Sequence, residues 1–328
     1  MEPTELVGAE IVKVLGERNF PLSELLLLGS RRTAGDRVEF RGRDVPVVQA
    51  DNASFKGVHL AFFSCDRAMS AEFTGAARAA GALVIDLSTR YALQESVPLV
   101  VPEVNGEALS QGKGIIACPR GATIQLALAL SPLHRAARIT RIVATTFHAV
   151  SDCGAKAMEE LTAQVRELFS FRELRGEVFP QQIAFNCLPQ VGPFTEGGYT
   201  EEELVIAAEM RRLLADSGIR MSITCVQVPV FYSHGASLII ETGRKITPSE
   251  VRDVLRKAPG VSVEDEPGSG VYPTPVAAAG TDECLVGRIR QDLGADNAVA
   301  LWTACDNIRK GSALNAVQIA EALFRIRA

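Results

Sequence analysis

Aromatic residues are scarce in this chain: one Trp and four Tyr stand among 328 residues, and aromatics of all kinds make up 6%. Charge of one sign is nowhere concentrated. Lys and Arg number 34 against 39 Asp and Glu, a formal net charge of −5 at pH 7. Binding to nucleic acid or to an anionic membrane surface relies on clustered cations, so neither is expected as a partner. Long hydrophobic runs are missing too: Leu25 to Leu28 is far short of the ~20 residues that span a bilayer. Met1 is followed by acidic residues rather than by a basic and then apolar segment. No signal peptide is therefore expected, and the cytoplasm is the expected location. The seven cysteines, at 65, 118, 153, 187, 225, 284 and 305, form no CxxC pair, and the four histidines show no metal-ligand spacing. An odd, scattered set predicts free thiols in a reducing compartment and neither a disulfide framework nor a metal centre.

What is present predicts two domains and a large core, since 47% of the residues are hydrophobic. Val7, Ile11, Val14 and Leu15 recur at helical spacing and predict a helix over 4–17. Leu25 to Leu28 reads as a buried strand, as do 58–64 and 82–87, with an Ala-rich helix over 68–80 between the last two. Strand–helix–strand alternation predicts a parallel sheet with helices on both faces. Thr247, Pro248 and Glu250 predict a helix start, with Gly260 as its stop. Thr200 and Glu203 form a second capping box, opening a helix to about Asp216. Ile219 to Phe231 and Ala236 to Glu241 read as β-rich, so the second domain is expected to be an α+β sheet packed on helices.

Several segments, in order along nearly the whole chain, carry a family resemblance. They are Val58 to Ser64, Ala82 to Ser88, Val97 to Asn105 (VPLVVPEVN), Ile116 to Gln125 (IACPRGATIQ), Pro180 to Asn186 (PQQIAFN), Tyr272 to Pro275, Val286 to Arg290 and Asp306 to Ala316. Together they resemble the aspartate-semialdehyde dehydrogenase family. The resemblance implies a Rossmann-like doubly wound domain over 1–119 with 311–328, and an α+β mixed-sheet dimerisation domain over 120–310. It also implies NADP or NAD as cofactor and a homodimer. The family's chemistry uses a thiolate nucleophile, a nicotinamide hydride and a histidine that moves protons.

In register with the family's motifs, Gly121 stands at the nucleophile position and His234 at the acid/base position. His148 replaces the glutamine that orients the thioester. Glu202 is retained at the position that meets the substrate amine, Val205 replaces a phosphate-binding lysine, and Gln227 replaces the substrate-carboxylate arginine. Ala92 replaces a further arginine; Arg90 and Arg120 are candidates to replace its charge, or surface arginines. On the cofactor side, Gly8, Ser30, Arg31, Arg32, Thr33 and Asn307 fall at matching positions. The first strand and its glycine-rich turn have no counterpart: Glu2 and Glu5 stand where glycines meet the pyrophosphate, and Asp66 and Arg67 replace glycines near the nicotinamide. A non-catalytic member with weak or lost cofactor binding is therefore expected. The alternative is an active oxidoreductase on aspartate semialdehyde or a related aldehyde with a relocated nucleophile such as Cys118.

Overall fold

The computed structural model describes residues 1–327. The chain divides into two compact units, Met1–Arg120 with Ser312–Ala328, and Gly121–Gly311.

In the first unit, α1 (Leu6–Glu17) buries Ile11, Val12, Val14 and Leu15 on one face. It starts two residues later than its periodicity predicts because Glu5 is extended, at φ −76° and ψ 157°. Three strands follow: β1 (Leu27–Gly29), β2 (Arg37–Phe40) and β3 (Arg43–Gln49). β2 and β3 form a hairpin whose two turn residues, Arg41 and Gly42, both have positive φ, as a tight turn matching strand twist requires. Beyond them come β4 (Leu60–Phe63), α2 (Arg67–Ala79), β5 (Leu83–Asp86), α3 (Pro102–Asn105) and β6 (Ile115–Ala117). Asp66, expected only as a lost glycine, caps α2 by accepting from the Met69 N–H at 2.8 Å. The C-terminal helix, Leu314–Arg327, packs Ala316, Val317, Ile319 and Ala320 against Val14, Ile85 and Ile116 in a single buried cluster.

The expected parallel sheet is present but divided. β1, β3 and β2 make one three-stranded sheet, in which β1 is parallel and β2 antiparallel to β3, and β4, β5 and β6 make another, wholly parallel. Among the described residues no strand lies between β1 and β4. Only Met1 and Glu2 bridge that gap: the Met1 amine donates to the Phe62 carbonyl at 2.6 Å, and the Glu2 N–H to the Leu28 carbonyl at 2.8 Å.

The second unit opens with α4 (Gly121–Ala137), buried on nearly every side, as its Leu/Ala-rich sequence requires. Then follow β7 (Ile139–His148), α5 (Ala155–Phe169), α6 (Glu201–Leu213), β8 (Arg220–Gln227), β9 (His234–Thr242), α7 (Pro248–Leu255), β10 (Val261–Val263), α8 (Pro275–Ala278), β11 (Cys284–Gln291) and β12 (Ala298–Cys305). Both expected capping boxes form, at Thr200–Glu203 and Thr247–Glu250. α7 ends at Leu255, short of Gly260, whose φ of 73° instead turns the chain into β10. The six strands form one mixed sheet in the order β10-β11-β12-β9-β7-β8. One face packs on α4, α6 and α7. The other carries the register rows Val143–Ile239–Ala300 and Thr145–Ser237–Trp302. There the Phe147 and Trp302 rings lie 5.4 Å apart, over Gly235. A Cβ at Gly235 would come within 2.8 Å of the Trp302 ring, which explains glycine in mid-strand.

Candidate active site

Strand pairing gathers the site of the second unit. β7 and β8 run parallel with His148 opposite Gln227, and antiparallel β9 begins at His234. The two imidazoles stack with centroids 4.5 Å apart, and each histidine is 1% exposed. Asp152, in the turn after β7, reaches both: its carboxylate lies 3.2 Å from His148 Nδ1 and 3.5 Å from His234 Nε2. Burial works against the charged carboxylate, but hydrogen bonds from His148 and His234, and their charge, win and hold Asp152 well below the usual carboxylate range.

The ring protons can be placed. The Ala149 N–H donates to His234 Nδ1 at 3.1 Å. That nitrogen must carry a lone pair, so the proton of a neutral His234 sits on Nε2, facing Asp152. His148 Nε2 contacts the Thr146 hydroxyl at 3.0 Å. Three ligand-type atoms, one each from His148, Asp152 and His234, lie within 4.8 Å of one another. A metal would need the lone pair of His234 Nε2, which the Ala149 contact assigns to Nδ1 instead, so the donor set fits proton exchange better than metal binding.

The neighbouring side chains are already engaged. Gln227, 2% exposed, donates to the His148 carbonyl at 2.9 Å. Asn307 accepts from the Ser233 N–H at 2.9 Å and donates to the Ser151 hydroxyl at 3.0 Å. Those bonds give Asn307 a structural role within this unit. Gln125 donates to the Thr303 hydroxyl at 2.7 Å. Glu202 lies half-buried in the first turn of α6, and Val205, 8% exposed, faces inward one turn on.

No thiol near the histidines is activated. Gly121 opens α4, and a Cβ there would sit 3.4 Å from the carbonyl oxygens of Asn307 and Gly311. Cys153 is exposed as a residue, yet desolvation and the carboxylates of Asp152 and Glu202 push its thiol up to about 12. Burial pushes Cys225 up to about 12 as well. A thiolate nucleophile needs the opposite environment. Cys118, 1% exposed, belongs to the apolar core of the first unit, with the Asn315 amide 3.7 Å from its sulfur.

The first unit holds a groove of about 700 Å³ lined by Glu2, Glu5, Ser30, Arg31, Arg32 and Asp66, among others. Glu2 keeps a glycine-like backbone, with φ 52°, but brings a carboxylate into the turn. Glu2 is 7% exposed, and its carboxylate accepts from the Ser30 N–H at 2.8 Å and the Thr33 hydroxyl at 2.9 Å. Arg32 is ion-paired with Glu5, while Arg31 is exposed. Gly8 is required by the turn itself: a Cβ there would meet the Glu2 carbonyl oxygen at 2.0 Å. In this groove the carboxylates of Glu2 and Glu5 hold the Ser30, Thr33 and Arg32 donors and add negative charge beside the turn.

Sequence reasoning missed Asp152, the residue that joins the two histidines. Its signal was the four-residue spacing from His148, hidden because a strand end and a turn, not a helix, supply that spacing.

A model described as semialdehyde dehydrogenase, NAD binding domain, matches residues 3–112. Another, semialdehyde dehydrogenase, dimerisation domain, matches residues 130–310. The aspartate-semialdehyde dehydrogenase of Aquifex aeolicus (strain VF5) is 45% identical over 324 residues, covering 97% of this chain and 95% of the relative. That of Bacillus subtilis (strain 168) is 38% identical over 331 residues, covering 98% and 96%. Among solved structures, aspartate semialdehyde dehydrogenase II from Vibrio cholerae, complexed with ASA, superposes with a TM-score of 0.95 at 40% identity, covering 99% of this chain and 96% of that one.

Proposed function

The chain belongs to the aspartate-semialdehyde dehydrogenase family, and from that premise we propose that it is a non-catalytic member. One observation carries the reading: the first residue of α4, where the resemblance places the nucleophile, is Gly121. The two thiols beside the histidines, Cys153 and Cys225, are both pushed toward the protonated form. Loss of the nucleophile removes the covalent route altogether. A relocated nucleophile at Cys118 has little support, since that sulfur is buried among apolar side chains. Glu2 and Glu5 support weak binding of NADP or NAD. The fold and the mixed-sheet face bearing Phe147, Ile239 and Trp302 support a retained homodimer, because an extensive sheet interface ties assembly to stability. The first unit serves as the nucleotide-type domain and the second as the dimerisation domain of a protein we place in the cytoplasm. The test is phosphate-dependent oxidation of aspartate semialdehyde with NADP by the purified protein. No turnover above background is expected; steady turnover that vanishes in Cys118→Ser would overturn the reading.

A further inference from the structure

Two thiols apart from the histidine site meet inside the second unit. Cys284 opens β11 and Cys305 closes β12, and the two strands run antiparallel. Leu285 pairs with Ala304, so Cys284, one residue earlier, stands opposite Cys305, one residue later. Directly opposed residues put their side chains on the same face of a sheet, and these two thiols are hydrogen-bonded to each other. The Cα atoms of such a pair lie about 4.5–5.5 Å apart, inside the span of about 4.4–6.8 Å that a disulfide accepts.

The surrounding bonds hold this geometry from both sides. Cys305 pairs with His234 on β9, and Cys284 with Val261 on β10. Asp306, next to Cys305, accepts from the Gly280 N–H at 2.6 Å and so ties the end of β12 to the turn that leads into β11. Thiols held in place this way react with each other at high effective concentration. Both residues are buried, but Asp282 and Glu283, which precede Cys284, are exposed, so fraying of this strand end alone admits a small oxidant. Zinc needs more donors than two thiols supply. Among the described residues, the group of three or more metal-type donors is His148, Asp152 and His234, which includes neither thiol.

We propose that Cys284 and Cys305 form an oxidative modification site, which closes to an intramolecular disulfide under hydrogen peroxide. When the strand end opens, the Cys284 thiolate attacks one peroxide oxygen. The O–O bond breaks, leaving a sulfenic acid on Cys284 and a hydroxide that takes up a proton to become water. The Cys305 sulfur then attacks the Cys284 sulfur. The S–S bond forms, the S–O bond breaks, and the leaving hydroxide departs with the Cys305 proton as a second water. Each sulfur is oxidised by one electron, and both peroxide oxygens are reduced to water. Contact with Cys305 and burial hold the closed Cys284 thiol well above its ordinary value, against the pull of the Lys310 charge. The bridge therefore forms slowly, at a pace set by opening of the strand end.

The test exposes the purified chain, folded in buffer and unfolded in urea, to millimolar hydrogen peroxide. Remaining thiols are alkylated after unfolding, and linked peptides are mapped by mass spectrometry. In the folded protein the Cys284–Cys305 linkage should be the main disulfide, at a yield at least tenfold above that in urea, and dithiothreitol should remove it. The oxidised chain should also resist urea better than Cys284→Ser treated in the same way. Recovery of alkylated Cys284 and Cys305 from folded protein whose exposed Cys187 has been oxidised overturns the proposal. So does a linkage no more abundant in the folded than in the unfolded chain, or sulfinic acid at Cys284 in place of the bridge, since the two thiols are then ordinary core residues.

Discussion

Substituting Glu2 separates the two contributions its side chain makes. Glu2→Ala removes both hydrogen bonds to the carboxylate, from the Ser30 N–H and the Thr33 hydroxyl, while leaving alanine in the left-handed conformation that Glu2 adopts at φ 52°. Hydrogen bonds to a charged acceptor contribute about 1.5–3 kcal/mol each. Part of that is recovered when water reaches the vacated donors at the groove wall, so a net loss of about 2–4 kcal/mol is expected. At roughly 2–4 °C per kcal/mol for a domain of this size, Tm should fall by about 4–16 °C. Glu2→Gly loses the same bonds but relieves the left-handed strain, which costs about 1–2 kcal/mol for a residue with a Cβ. Glycine should therefore be more stable than alanine here, by about 1 kcal/mol. Urea denaturation of both variants beside the parent measures the order. In parallel, calorimetric titration with NADP should show weak binding by the parent and at least tenfold tighter binding by a Glu2→Ala/Glu5→Ala double variant. Parent-like stability of Glu2→Ala would refute the bonding scheme, and a low-micromolar dissociation constant for the parent would refute the reading of the groove.

Gly121→Cys should fold with a Tm close to that of the parent, because its Cβ makes ordinary contact distances, and should still show no dehydrogenase activity. Adding Gln227→Arg and Val205→Lys to it should lower Tm, since both positions are buried and each would have to accommodate a charge; any trace of activity in this triple variant, followed by cofactor absorbance, should depend on His234. Asp152→Asn should flatten the acid limb of the stability profile. The folded Asp152 titrates below its ordinary value, so its contribution is complete above about pH 4 and is lost as pH falls below that; urea midpoints at pH 7 and pH 3 measure the difference. Ile239→Glu, on the sheet face opposite α4, α6 and α7, should give a folded monomer by sedimentation, and the parent a dimer.

Much of the fold was legible because its signals are local. The Thr200 and Thr247 capping boxes, and the apolar spacing of α1, each fix an element without help from the rest of the chain. The pairing of His148 with Gln227 was not legible, because it depends on parallel register between β7 and β8, whose ends lie 79 residues apart in sequence. Nor was the carboxylate bridge at Asp152, which needs the turn after β7 to fold back on both rings. Glu2 shows a subtler limit. Its sequence position indicated a lost glycine, but the structure keeps the glycine's backbone angle and adds a side chain that engages its own loop.

The divided sheet also bears on cooperativity. In an unbroken sheet a ladder of hydrogen bonds couples every strand to the next. Here two backbone bonds, from Met1 and Glu2, are all that cross between the half-sheets among the described residues, and the remaining coupling is side-chain packing through α1 and the C-terminal helix. Packing without a shared ladder lets each half open by itself. The hairpin half, held by the three-residue β1 and the largely exposed β2 and β3, is then expected to exchange its amides before the buried β5 does.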